Sequence, residues 1–277
     1  MLIKKLVSDK LLRHDIDFVC DLFSPFRLQP SNLLGHEGNS VRILLGIVID
    51  FVLNSNCSLL HFTKSQRLQE LFFFALLNGK ISSYLEAGAN DGILYSNTYA
   101  FYSLLDCPGI CIEASPRLYR SLVGNRPNNV NLNYALTSMT GELVTLVDDT
   151  PHGLFGSIGD CPDKLLLHDP NTARDLVHSI SLNDALTNCS LSRVSFMSLD
   201  IEGSELNALS VLEAPIFHAA CVEANTTAQK HGISRFLKGI GCTCYNYPFA
   251  SNEIIAVSSP LGLNPDILKI LDKFFLL

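Results

Sequence analysis

The sequence predicts an α/β protein: a doubly wound, mainly parallel sheet preceded by a helical extension. Three observations carry this reading. From Ser82 onward, short β-rich apolar runs alternate with helical stretches at the spacing of βαβ units. A glycine turn, Gly88 to Gly92, follows the first of these runs and leads into a helix. The first 80 residues lack that alternation and place apolar residues at helical period instead.

The extension, residues 1–80, opens with Leu2, Leu6, Leu11 and Leu12 spaced among charges as an amphipathic helix requires. A proline-bearing loop runs from Phe23 to Pro30. Apolar segments follow at Val41–Leu53 and Leu68–Leu77, and Asn78-Gly79 is a helix stop. Ile43–Leu53 is about half the length a bilayer crossing needs and contains Asp50, so a buried helix is expected and no transmembrane segment. These helices are expected to pack on the main domain; a substrate lid or a homo-oligomer contact are the alternatives.

The main domain, residues 81–260, starts with a strand at Tyr84–Ala87 and a helix over Ser96–Leu105. A second strand spans Gly109–Glu113, and Pro116–Val123 reads as the next helix. The third strand is Val130–Ala135. Gly141–Val147 looks like an extra strand in a hairpin, and residues 153–164 read as a polar loop over a site. Val194–Asp200 is a further strand, followed by a helix at Ser204–Leu212. Strands at Ala219–Glu223, Cys242–Tyr247 and Glu253–Val257 complete the sheet. Residues 261–277 form a C-terminal helix, amphipathic from Pro265 and suited to docking.

Composition narrows the function. Hydrophobic residues make up 47% and charged residues 17%, enough for a sizeable core. Twenty Lys and Arg stand against 27 Asp and Glu, a net charge of −7, which argues against nucleic acid as the main partner. The nine cysteines are odd in number and scattered, several within apolar runs, as expected of reduced thiols in a cytoplasmic protein. Cys242-Thr-Cys244 has no second Cys/His pair nearby, so no metal is expected. The N-terminus has no apolar stretch of signal-peptide length.

Three strings carry chemistry. The first is Glu86-Ala-Gly88-Ala-Asn90-Asp91-Gly92. Its glycines allow a tight turn and close backbone approach. A dinucleotide loop of the form GxGxxG would need glycine where Asn90 stands, and Glu86 and Asp91 would repel phosphates. S-adenosyl-L-methionine carries a sulfonium and an ammonium and no phosphate, so an acidic rim suits it better. The second is Glu113, at the end of the second strand, where a carboxylate can accept hydrogen bonds from ribose hydroxyls. The third is Ser198-Leu-Asp200-Ile-Glu202-Gly203-Ser-Glu205. Its carboxylates would cluster near the sulfonium end of a cofactor pocket, with Glu205 also suited to a helix N-terminus.

Taken together these strings resemble the FkbM family of S-adenosylmethionine-dependent methyltransferases. The matching stretches are Tyr84–Tyr99, Gly109–Pro116 and Ser198–Glu205, with Asn125-Arg126-Pro127 and Ala135–Ser138 also similar. The resemblance covers residues 81–257 and implies a Rossmann-like class I methyltransferase fold. It implies that the Gly88 loop and Glu113 hold the cofactor, and Glu86, Asn90, Asp91, Gly92, Ala114, Ala135 and Asp200 are the further candidates for that site. It also implies a hydroxyl acceptor on a small molecule or glycan. Two departures stand out: Ser198-Leu199 replaces a Lys common before the Asp-x-Glu-Gly string, and Glu86 replaces an Asp common before the first loop glycine.

Methyl transfer to a hydroxyl needs in-line alignment and a base. Asp200, Glu202, Glu223 and His152 are the candidates, with His231 behind them. Two competing readings are a Rossmann-type NAD(P) oxidoreductase, which Asn90 and the acidic loop disfavour, and a non-catalytic interaction module of the same fold.

Overall fold

A computed structural model describes residues 36–148, 156–158 and 173–277. The amphipathic segment at residues 2–12 and the loop at 23–30 lie outside them, as does His152. The described chain opens with three helices, α1 (His36–Ser55), α2 (Leu59–Phe62) and α3 (Gln69–Leu76). Asn78 and Gly79 both adopt positive φ and end the last of these, as their sequence signalled.

The central sheet then assembles around β1 (Tyr84–Ala87). Helix α4 (Tyr99–Leu104) leads to β2 (Gly109–Ile112), and α5 (Pro116–Asn125) to β3 (Val130–Leu132). Later in the chain come β8 (Val194–Leu199), α7 (Glu205–Leu209), β9 (Phe217–Glu223), α8 (Thr227–Gly239), β10 (Thr243–Asn246), β11 (Glu253–Val257) and α9 (Pro265–Phe274). The strand order is β10-β11-β9-β8-β1-β2-β3. Every neighbouring pair is parallel except the two made by β11, which runs antiparallel between β9 and β10.

A smaller sheet fills the stretch between. It contains β4 (Ala135–Leu136), β5 (Leu143–Asp148), β6 (Gly156–Ile158) and β7 (Ala173–Ile180), in the order β4-β7-β5-β6, and α6 (Leu182–Asn188) follows it. Here the sequence reading needs correction. The third strand breaks at residues 133–134, and its second half pairs with β7 in the smaller sheet. The extra strand has two antiparallel partners, β6 and β7. Residues 156–158, expected within a loop, are the strand β6.

Alternation along the strands builds two cores, as a period of two demands. Tyr84, Phe196, Ala219 and Ile255 face one layer, where α1, α3, α4 and α9 contribute Val48, Phe72, Phe73, Phe101 and Ile267. The Phe73 and Phe196 rings lie 4.5 Å apart there. Leu85, Ile110, Met197 and Val222 face the other, filled by Leu186, Leu209, Ile233 and Leu237 of α6, α7 and α8. Residues 36–80 are thus one layer of the main fold. Helix starts follow from their caps: Ser115 accepts the Leu118 N–H ahead of Pro116, and Thr226 with Gln229 forms a capping box for α8.

Candidate active site

Strand order reverses at β1, which has β8 on one side and β2 on the other. The loops leaving the parallel strands β1, β2, β8 and β9 therefore open at one end of the sheet, around the crevice where doubly wound folds bind ligands. At the centre Gly88 has φ +78°, and a Cβ there would fall 1.8 Å from the Asp200 carbonyl oxygen. The loop after β1 thus lies directly against the loop after β8, and only glycine permits it.

The rest of the glycine loop is shaped by carboxylates. Asn90 has φ +53° and donates its N–H to Glu113 Oε2 at 2.8 Å. The other Glu113 oxygen accepts the Ser115 N–H at 2.8 Å, so this buried residue ties the loops after β1 and β2 together. Asp91 Oδ1 accepts the N–H groups of Ile93 and Leu94 at 2.8 and 2.7 Å. Gly92 has φ +82°, and a Cβ there would meet Leu122 and Arg126 of the α5 end. Ala114 and Ala135 come together in a small apolar cluster with Leu146 and Val177.

On the β8 side, carboxylate oxygens of Asp200, Glu202 and Glu223 all lie within 4.8 Å of one another. Glu202 at φ +56° and Gly203 at φ +108° form the turn that brings the second of these round. Glu205 sets that turn: its buried carboxylate accepts the Ile201 and Gly203 N–H groups, each at 3.0 Å. Asn225 Nδ2 donates to one Glu223 oxygen at 2.8 Å and Asn252 Nδ2 to the other at 3.3 Å, which fixes that carboxylate. A proton held between Asp200 and Glu223 would relieve the repulsion of these neighbouring carboxylates.

Desolvation, and then the crowding of like charges, raises the titration of both Asp200 and Glu223. Asp200 is nonetheless solvent-accessible, and Glu202, Glu205 and Glu253 add like charge around it. The spacing of the three acids would accommodate a shared proton or a divalent cation, the latter unforeseen in the sequence.

Residues 86–237, over half the chain, match the FkbM methyltransferase domain. The chain belongs to that family. The matched segment begins at Glu86 and takes in the glycine loop, Glu113 and all three mouth acids. Among solved structures, the chain is similar to the Methanococcus jannaschii fibrillarin pre-rRNA processing protein, at 12% identity and a TM-score of 0.35 over 69% of this chain and 75% of that one. It is also similar to the METTL16 MTase domain, at 10% identity and a TM-score of 0.41 over 81% of each chain. No curated protein sequence matches it. The FkbM domain here has the Rossmann-like α/β fold that the sequence predicts. Among the described residues, no helix is long and apolar enough to cross a membrane.

Not every expected site residue of this FkbM domain reaches the crevice. Glu86 is buried beneath the loop. One of its oxygens accepts the Asn97 N–H, and the other accepts the hydroxyls of Ser96 and Thr98 at 2.9 and 2.6 Å. That oxygen also lies 3.4 Å from the Arg126 guanidinium. This use of residues 96–98 delays α4 to Tyr99, three residues after its expected start. His231 is exposed on α8.

Three polar groups on the same side of the sheet, Arg126 and Glu70 buried and Glu253 half-buried, are given no role by the sequence. Arg126 is fully buried. Glu70 accepts the Lys64, Ser65 and Ala100 N–H groups and the Thr63 hydroxyl, joining the extension to the first turn of α4. Glu253 accepts from Gln69 Nε2 at 2.6 Å and from the Cys221 thiol at 2.9 Å. Burial raises the Glu70 carboxyl and pushes that of Glu253 up to about 6. Glu70 and Glu253 each look like an ordinary surface acid in the sequence, and no local pattern marks them.

Proposed function

We propose that this methyltransferase binds S-adenosyl-L-methionine between the Gly88 loop and the Asp200 loop, and methylates a hydroxyl oxygen of a small molecule or glycan. The observation that carries the reading is the Asp200–Glu202–Glu223 cluster, set beside Gly88 where the two loops touch. The donor set fits the group. These carboxylates suit an ammonium and a sulfonium, whereas a pyrophosphate would meet like charge. Each Glu113 oxygen accepts one backbone N–H, which holds the carboxylate at the end of β2, where a ribose would lie. When bound, the cofactor supplies the electrophilic methyl group.

The protein's own part is to orient and deprotonate. A hydroxyl in the crevice must sit about 3 Å from the carbon it attacks. The Asp200–Glu223 pair, once it has lost its shared proton, accepts the proton of that hydroxyl. Glu205 holds the turn beside the pair, and the two Asn amides hold Glu223 itself. The free buried thiols Cys111, Cys221, Cys242 and Cys244 suit a reducing, cytoplasmic setting.

The test is calorimetric titration of the purified protein with S-adenosylhomocysteine and, separately, with NAD. Incubation with radiolabelled S-adenosylmethionine and fractionated small molecules and glycans follows. Saturable S-adenosylhomocysteine binding and label retained on oxygen are expected. Binding of NAD instead would defeat the cofactor assignment. Label found only on nitrogen or carbon would defeat the hydroxyl acceptor.

A further inference from the structure

The guanidinium of Arg126 lies under the glycine loop, and every nitrogen of it is engaged. Nε donates to the Gly92 carbonyl at 2.6 Å. Nη1 donates to Thr98 Oγ1 at 2.7 Å and to Cys111 Sγ at 3.4 Å. Nη2 donates to Ser96 Oγ and pairs with Glu86 at 3.4 Å. The rings of Tyr99 and Tyr102 each stand 5.6 Å from its central carbon. One residue earlier, Asn125 Nδ2 donates to the Asp91 carbonyl at 2.8 Å.

The end of α5 thus holds two consecutive loop carbonyls, and the Arg126–Glu86 pair fixes both hydroxyls that follow. Gly92 is glycine partly because a Cβ there would lie 3.2 Å from Arg126 Cγ. A fully buried arginine is costly to desolvate unless its partners are complete, and here they are. An apolar plug of similar volume would fill the same space at less cost. What it could not do is dictate where residues 91–98 run.

We infer that Arg126, paired with Glu86, is a positioning residue: it sets the shape of residues 88–98 from below and thereby the affinity of the proposed cofactor, which it does not touch. The inference rests on the cofactor reading above and can be tested apart from it. The planar fork matters as well as the charge, because lysine cannot serve Gly92, Thr98, Ser96 and Glu86 at once.

The experiment compares wild type with Arg126→Lys and Thr98→Val. The second variant removes one hydroxyl that both Arg126 and Glu86 hold, at nearly constant volume. Amide exchange is read in the ligand-free proteins, the dissociation constant for S-adenosylhomocysteine by calorimetry, and turnover as KM and kcat separately. Exchange of residues 88–98 should quicken while that of β9 and β11 holds steady. Affinity should fall about tenfold, with KM for the cofactor rising and kcat at saturation little changed. A merely structural role would lower melting temperature and leave loop exchange and affinity alone. That outcome in a folded variant overturns the inference. If Arg126→Lys does not fold, Thr98→Val decides. If wild type ignores S-adenosylhomocysteine, the cofactor reading fails, and loop exchange still judges the clamp.

Discussion

Glu86 and Asp200 begin from the same expectation and end in opposite situations. Both are acids at the carboxyl ends of adjacent parallel strands, and both flank Gly88. Glu86 points into the layer beneath the loop, where Arg126, Ser96, Asn97 and Thr98 satisfy it. Asp200 meets Glu202 and Glu223 instead, and after burial the like charges around it raise its titration. One carboxylate is paired with a cation to hold a shape; the other is crowded by acids, which strengthens its hold on a proton. Repulsion of that kind is tolerated where a positively charged ligand or a transferred proton relieves it.

The largest expected effect breaks the contact the two regions share. Gly88→Val would drive a side chain into the Asp200 carbonyl and force the loops apart. Affinity for S-adenosylhomocysteine should fall by about a hundredfold or more, because a misplacement near 1 Å is enough to cost that much. Calorimetry on the folded variant checks it, and wild-type affinity would show that the loops do not form the cofactor site.

Asp200→Asn tests the repulsive side. Turnover should fall by about 10² to 10⁴, the usual contribution of a positioned base. Stability should move the other way, and the sign follows from linkage. An acid whose folded titration lies above its unfolded value binds more protons when folded, so stability drops as pH rises through the interval between them. For the Asp200–Glu223 pair that interval begins at the ordinary carboxylate range and extends upward. Wild-type melting temperature should therefore decline as pH rises above about 4. The variant should decline less steeply and melt higher at neutral pH. A steeper decline in the variant would mean that Asp200 is stabilising as a carboxylate. The wild-type rate should rise with pH, with an apparent value belonging to the pair.

Glu70→Gln is the counterpart on the satisfied side. The amide leaves one oxygen to do what two charged oxygens do for Lys64, Ser65, Ala100 and Thr63. Losing charge-assisted bonds while leaving buried donors short should cost about 2–3 kcal/mol by denaturant unfolding. Cofactor affinity should change far less than in Gly88→Val. A neutral effect on stability would mean that Glu70 is held protonated, in line with the direction in which burial pushes it.

How much of this the sequence disclosed depends on the range of the interaction. The Gly88 turn, Glu113 at its strand end and the Asp200-Ile-Glu202-Gly203 bend are local consequences of strand–turn–helix chemistry, and each lies where the spacing put it. Burial direction is different. Glu86 faces away from the crevice because the period of two sends it to the side of Tyr84, where Arg126 waits 40 positions later. No string in the sequence joins those two. The helix α8 is legible in principle, since Thr226-Thr-Ala-Gln229 is a capping box. The break after β3 was not, because β4 leaves the main sheet to pair with β7, a strand whose own signal is weak.

The smallest expected effect isolates stability from the site. Asn264 caps α9, accepting the Asp266 and Ile267 N–H groups at 3.1 and 3.3 Å, while its own N–H donates to the Leu76 carbonyl at 2.8 Å. Asn264→Ala removes the side-chain bonds and leaves the backbone one. The loss should be about 1 kcal/mol, the usual value of a cap. In a protein of this size that lowers the melting temperature by about 2–4 °C. The α9 helix packs against the α1 and α3 layer through Ile267 and Leu271 and contributes nothing to the crevice loops described here. Affinity for S-adenosylhomocysteine should therefore be that of wild type. A cap variant that lost stability and affinity together would mean that the layer beneath the glycine loop responds as one unit. Glu86 and Asp200 would then belong to one mechanically coupled layer.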